Sequence, residues 1–116
     1  MFKYICSLRA FNLTQDQENA YEEIFNDISC ETPMLRLLQG DVGSGKTIVA
    51  ALIASSIVAD NKQVAILAPT TILANQHYQN FVQWFGCDDE IELLTSKIAV
   101  KEKRQIYQKI QSGKTK

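Results

Sequence analysis

Eight consecutive residues, Gly40-Asp41-Val42-Gly43-Ser44-Gly45-Lys46-Thr47, restrict what this chain can fold into more than any other part of its sequence. They match the spacing G-x-x-x-x-G-K-[ST] without a departure. Glycines at these positions let backbone N–H groups converge on phosphate oxygens with no Cβ in the way, and a helix opening near Lys46 adds its free amides and positive end. Lys46 is expected to reach β- and γ-phosphates, and the Thr47 hydroxyl to take one position on Mg²⁺. The spacing demands a strand before the loop and a helix after it. Met34 to Gln39 is a short apolar run, and from Ile48 to Ala59 the chain is almost continuously apolar, so both neighbours are expected.

The chain has 116 residues, the length of one ordinary domain. Twelve Lys and Arg against thirteen Asp and Glu leave a net charge of −1, so nothing in the whole-chain balance advertises a nucleic-acid coat protein or a basic membrane binder. The charge is unevenly spread: Lys97, Lys101, Lys103, Arg104, Lys109, Lys114 and Lys116 gather at the C-terminal end, beside one acid, Glu102. A solvated helix face and a phosphate-contacting surface both fit that cluster. Cys6, Cys30 and Cys87 are odd in number and widely spaced, which reads as reduced packing residues in the cytoplasm. Met1 to Phe11 falls short of a secretory signal, and no run approaches the ~20 apolar residues of a membrane span.

Periodicity supplies the rest of the architecture. Ala20, Tyr21, Ile24, Phe25 and Ile28 share one face of a helix opening at Thr14, which the Ser29 to Pro33 segment breaks. Val64 to Ala68 is a second β-like run, ended by Pro69. Ala74, Tyr78, Phe81, Val82 and Phe85 line a helix from about Thr71 to Phe85, closed by Gly86. Ile91 to Thr95 is a third strand candidate, and Val100 to Gln111 a third crossover helix. The order β-α-β-α-β-α predicts an α/β fold: a parallel sheet with flanking helices, reached by right-handed crossovers.

Three stretches carry a resemblance: Phe11 to Gln17, Pro33 to Thr47, and Ala68-Pro69-Thr70-Thr71-Ile72-Leu73-Ala74-Asn75-Gln76-His77. In them the chain resembles the superfamily 2 DNA helicases, and most closely their RecG family. The transcription-repair coupling translocases share much of the pattern, Thr70-Thr71 included, while Gln39 and Ser44 favour the RecG family. The resemblance runs from about Phe11 onward, leaving residues 1–10 as a non-family segment and 11–116 as an incomplete, RecA-like P-loop domain. It implies ATP and Mg²⁺ as cofactors, bound by Gly40, Asp41, Val42, Gly43, Ser44, Gly45, Lys46 and Thr47, with Lys46 and Thr47 serving catalysis. It implies a Gln17 that reads the adenine edge, with Phe11 as a stacking aromatic. The spacing Thr14-x-x-Gln17 is also a capping box, and a capped glutamine keeps an amide edge, so both roles fit. Pro69, Thr70 and Thr71 match the segment that touches the DNA backbone, a role that stands beside plain N-capping by Thr70 or Thr71. His77 and Trp84 read as packing or surface residues.

Phosphoryl transfer to water also needs a carboxylate for Mg²⁺, a residue that orients the attacking water, and an arginine for the developing charge. The resemblance places these on a D-E-x-[HD] motif and a second motor domain. Asp88-Asp89-Glu90 precedes a strand instead of ending one, and Arg9, Arg36 and Arg104 match no arginine-finger motif. The expectation is an ATP-binding part of a helicase of recombination and repair that neither unwinds DNA nor hydrolyses ATP alone, the product of a split or decayed gene or a piece of a longer chain. Its implied partners are DNA and a downstream polypeptide supplying the rest of the motor. Its strands are expected to lack native neighbours, which predicts marginal stability or association. A non-enzymatic nucleotide-binding remnant or interaction module is the alternative, as is a fragment of a coupling translocase. A small P-loop kinase or GTPase is disfavoured, since Ala68 to Gln76 has no role in one.

Overall fold

The structure is a computed structural model that describes residues 13–41, 45–86 and 89–116. Four helices follow in order: α1 (Gln15–Ile28), α2 (Lys46–Ala59), α3 (Thr71–Phe85) and α4 (Val100–Gln111). Two compact units divide in sequence between Ser56 and Ile57, inside α2.

In the first unit, α1 is started by chemistry local to its own sequence. Thr14 sits at the N-cap with extended angles; its Oγ1 accepts from the Gln17 N–H, and its own N–H donates to Gln17 Oε1 at 2.9 Å. Asp16 and Glu18 in the first turn suit the positive end of the helix. The helix stops at Ser29, whose N–H and Oγ both return to the Phe25 carbonyl, and Pro33 lies beyond. Its apolar stripe contributes buried Ile24 and a stacked Tyr21–Phe25 pair with ring centroids 5.8 Å apart. The second helix is apolar nearly all round and holds Val49, Ala51, Leu52, Ile53 and Ala54, all buried. Burying each of the larger members contributes roughly 1.5 to 3 kcal/mol. The Tyr21 hydroxyl meets Ser56 Oγ at 3.0 Å, tying α1 to α2.

The second unit is assembled around two smaller contacts. Phe81, buried on α3, has the rings of Trp84 and Phe85 at centroid distances of 5.8 and 5.6 Å, and Ile106 is the buried residue of α4. Gly86 ends α3 with φ 64°, a left-handed angle open to glycine at no steric cost, and its N–H donates to the Val82 carbonyl. Gln63 Nε2 donates to the carbonyls of Ile110 and Thr115, so one amide fastens the end of α4 to the segment leaving α2. The Lys109 ammonium pairs with Glu92.

The helices stand where periodicity put them; the sheet does not. The expected α/β fold, a parallel sheet with flanking helices forming a partial RecA-like domain, is corrected: no strand occurs among the described residues. Met34 to Gln39, Val64 to Ala68 and Ile91 to Thr95 run without ladder hydrogen bonds. Leu35, Leu37 and Leu67 are 103%, 78% and 95% exposed, where a covered sheet would have buried them. The reason is the difference in where each element finds its hydrogen bonds. A helix closes them within four residues; a strand exists only through a neighbour. Within the second unit two isolated backbone bonds, from Val64 N–H to the Lys116 carbonyl and from Lys116 N–H to the Glu90 carbonyl, tie Val64 and Glu90 to Lys116 without forming a ladder.

Candidate functional site

The phosphate-loop motif straddles the entry to α2. Gly45, the residue before the helix, has φ +80°, an angle that L side chains rarely adopt, and its carbonyl accepts from the N–H groups of Ile48 and Val49 at 3.2 and 3.4 Å. Lys46 and Thr47 then fill the first turn, where amides have no partner within the helix and the dipole favours an anion. Lys46 is exposed, and its Nζ donates to the Gly40 carbonyl at 2.5 Å, so the side chain arches from the last part of the motif back to its first residue. Leu38, Gln39, Gly40, Asp41 and Lys46 line an open cleft of about 580 Å³. Thr47 is half-buried. Val42, Gly43 and Ser44 lie outside the described residues, as do Phe11 and the 1–10 segment.

Gln17 reaches this junction from α1. Its Oε1 takes the Thr14 N–H, and its Nε2 donates to the Gly45 carbonyl at 3.5 Å. The contact is close: a Cβ built on Gly45 would lie 2.0 Å from Gln17 Nε2. The capping role is therefore realised, and the same amide also touches the loop. This second contact pairs a residue with another 28 positions away, and nothing in the local spacing announces it.

A second contact of α1 lies on the run that leads into the loop. Arg36 Nε donates to Asp27 Oδ2 at 2.7 Å, and Arg36 Nη1 to Glu23 Oε2 at 2.8 Å. The Asp27 hydrogen bond, followed by the charges of Asp27 and Glu23, raises the Arg36 pKa above its ordinary value, so the guanidinium is a fixed cation. In the sequence Arg36 matches no arginine-finger motif, and its spacing does not point to α1. The available signal was its isolation: it is the only base between Thr14 and Gly45, opposite a helix carrying Asp16, Glu18, Glu22, Glu23 and Asp27.

In the second unit, Thr70 is the N-cap of α3, with its Oγ1 accepting from the Leu73 N–H at 3.2 Å. Pro69 and Thr70 are exposed; Thr71 is half-buried, and its carbonyl accepts from Asn75 Nδ2. His77 is half-buried with Nδ1 enclosed, and the Trp84 ring lies tilted against Phe81, 53° between their planes. Among the described residues no group of three His, Cys, Asp or Glu side chains gathers as a metal site, and no helix is long and apolar enough to cross a membrane.

A family model described as DEAD/DEAH box helicase matches residues 14–115. Similar curated proteins carry the name ATP-dependent DNA helicase RecG. That of Aquifex aeolicus is 45% identical over 106 residues, covering 89% of this chain and 13% of its own length. That of Borreliella burgdorferi is 41% identical over 114 residues, covering 97% and 17%. That of Escherichia coli O127:H6 is 54% identical over 76 residues, covering 66% and 11%. The chain thus spans between 11% and 17% of the length of these relatives. No solved structure matches.

Proposed function

The chain belongs to the DEAD/DEAH box helicase family, and on that premise we propose that it supplies the triphosphate-binding part of a RecG-like, ATP-dependent DNA helicase acting in recombination and repair. The observation carrying this reading is the junction at Gly45. A left-handed glycine ends the loop, a helix begins at once, and the lysine of the first turn bends back over the loop's opening carbonyl. At φ +80° any L side chain at position 45 is strained, and a Cβ there would also displace the Gln17 amide, so the junction favours glycine.

These residues fit ATP with Mg²⁺. The first-turn amides of α2 and Lys46 would hold the phosphates, with Gly40, Asp41, Val42, Gly43 and Ser44 completing the loop. The Thr47 hydroxyl would serve Mg²⁺, which keeps several waters and takes phosphate oxygens, with the carboxylate that hydrolysis needs supplied from outside this loop. Bound ATP would supply the transferable γ-phosphoryl group and Mg²⁺ the neutralising charge. Gln17, anchored by its cap and touching the loop, is the residue assigned to the adenine edge. Pro69, Thr70 and Thr71 are assigned to the DNA backbone, supported by the helix start they form, whose amides and hydroxyls suit phosphate and carry no base information. The proposed setting is the cytoplasm, in keeping with the free, exposed thiol of Cys30.

This chain's proposed share of the work is binding, with hydrolysis and unwinding requiring a polypeptide that carries more of the relatives' length. Titration with a fluorescent ATP analogue and Mg²⁺ tests the first half. Saturable binding that weakens at least about tenfold in Lys46→Ala is expected, the loss of one charge-assisted contact. Equal affinities would remove the reading. A DNA-stimulated ATPase rate in this chain alone, lost in Lys46→Ala, would overturn the binding-only share.

A further inference from the structure

Arg36 stands in the middle of an apolar run, four residues before Gly40, and its guanidinium is spread over two carboxylates one helical turn apart on α1. Residues four apart share a helix face, so Glu23 and Asp27 form a ready receptor for a fork, and two separate N–H groups of Arg36 fill it. A lysine ammonium is a point charge and cannot span the pair in the same way. The neighbours on either side point elsewhere: Leu35 and Leu37 are exposed, whereas Leu38, two residues along, is half-buried. This is the two-residue alternation of an extended backbone. The ion pairs therefore select which side of the run turns toward α1, and with it where the Gly40 carbonyl, the acceptor for Lys46, comes to lie. At the far end of the motif α1 makes its other contact, from Gln17 to Gly45. One helix thus touches the chain just before the phosphate loop and at the residue that ends it.

We propose that Arg36 is a positioning residue for the phosphate loop, holding the approach to Gly40 against Glu23 and Asp27 so that nucleotide affinity depends on this clamp. The inference rests on the reading of the loop as a triphosphate site. Arg36 acts through the backbone leading to Gly40, and its charge is not spent on a phosphate.

Two measurements on the full chain decide the matter. The first is titration with a fluorescent ATP analogue and Mg²⁺ for the wild type, Arg36→Met, Arg36→Lys, and the swap of Arg36→Asp with Asp27→Arg. Arg36→Met is expected to weaken binding about three- to tenfold, the range that one or two exposed ion pairs can transmit. Arg36→Lys is expected to fall between, and the swap to return to within about twofold of wild type. The second is hydrogen exchange of the amides at 37–41, read without nucleotide, which is expected to quicken in Arg36→Met and recover in the swap. Wild-type affinity and exchange in Arg36→Met would overturn the proposal. So would a swap as weak as Arg36→Met, because a cation that binds phosphate directly is not rescued by moving it to α1. If wild type and Lys46→Ala bind equally poorly, the function falls separately, and the exchange comparison still decides the clamp: faster exchange restored by the swap keeps it, unchanged exchange removes it.

Discussion

Replacing Gly45 by alanine tests the junction between the loop and α1 most directly. Two costs are expected. The first is conformational: at φ +80° a Cβ meets its own backbone, which costs about 1–2 kcal/mol in the left-handed region. The second comes from Gln17. The new methyl would lie 2.0 Å from Nε2 and 3.3 Å from Cδ, so the amide must leave. It surrenders the 2.9 Å bond from Thr14 N–H to Oε1, worth about 0.5–1 kcal/mol. The single variant should therefore lose about 1.5–3 kcal/mol of stability. In a Gln17→Ala background the clash and the bond are already gone, and only the first cost remains. A double-mutant cycle followed by urea unfolding at the helical circular dichroism band should show the double variant more stable than the sum of the singles by about 0.5–1 kcal/mol. Strict additivity, or a neutral Gly45→Ala, would refute the contact and with it the argument that Gln17 and the loop are built as one piece.

Gln17→Glu separates the roles of that residue: glutamate keeps the capping box and suits the helix dipole but loses the Nε2 bond to the Gly45 carbonyl, so stability should fall by no more than about 1 kcal/mol. Affinity for an adenine nucleotide should fall several-fold as the amide donor is lost, while an unchanged titration would leave Gln17 with its cap and its loop contact and no adenine role. Thr70→Ala should cost the second unit about 1 kcal/mol in urea unfolding and Thr70→Ser much less, because a hydroxyl at the N-cap is what the Leu73 N–H requires. The Lys109 ammonium is held above its ordinary value near 10.5, first by its hydrogen bond to Glu92 and then by that carboxylate's charge. A raised pKa means the folded state binds the proton more tightly. The contribution is therefore present in full below about 10.5 and is lost as pH rises through the higher folded value. Melting temperature should fall more steeply with alkaline pH in wild type than in Lys109→Met, and parallel curves would contradict the pair.

How much of this could be read in advance follows from how far apart the interacting residues lie. Thr14 caps through Gln17, three residues on; Gly86 closes α3 by accepting a left-handed angle where its helix ends. Contacts of this span are written into adjacent letters, and the helices built from them match their periodicity almost to the residue. The apolar runs at 34–39, 64–68 and 91–95 have β-like composition, but composition records only that a segment suits a pleated surface. Whether a strand forms depends on a ladder of backbone partners supplied from elsewhere, and among the described residues the runs make no ladder, only the single long-range bond from Val64 to the Lys116 carbonyl. Leu35 and Leu67 on the surface are the outcome: apolar side chains whose expected covering layer is a property of pairing.

The same distinction explains why Arg36 was invisible inside its run. Apolar patterning treats a charge between Leu35 and Leu37 as an interruption, to be turned toward water while the leucines are buried. Here the arrangement is reversed, because the helix beside the run is acidic on the face it presents, and a guanidinium satisfied by two carboxylates outcompetes two leucines with nothing apolar to meet. A partner's charge, rather than a residue's own hydropathy, decided the side. The loop that follows inherits that decision: Gly40 is four residues from Arg36, too short a span to forget which way the backbone was turned. The acidic helix thus touches the chain at Arg36, four residues before Gly40, and again at Gly45, through one arginine and one glutamine.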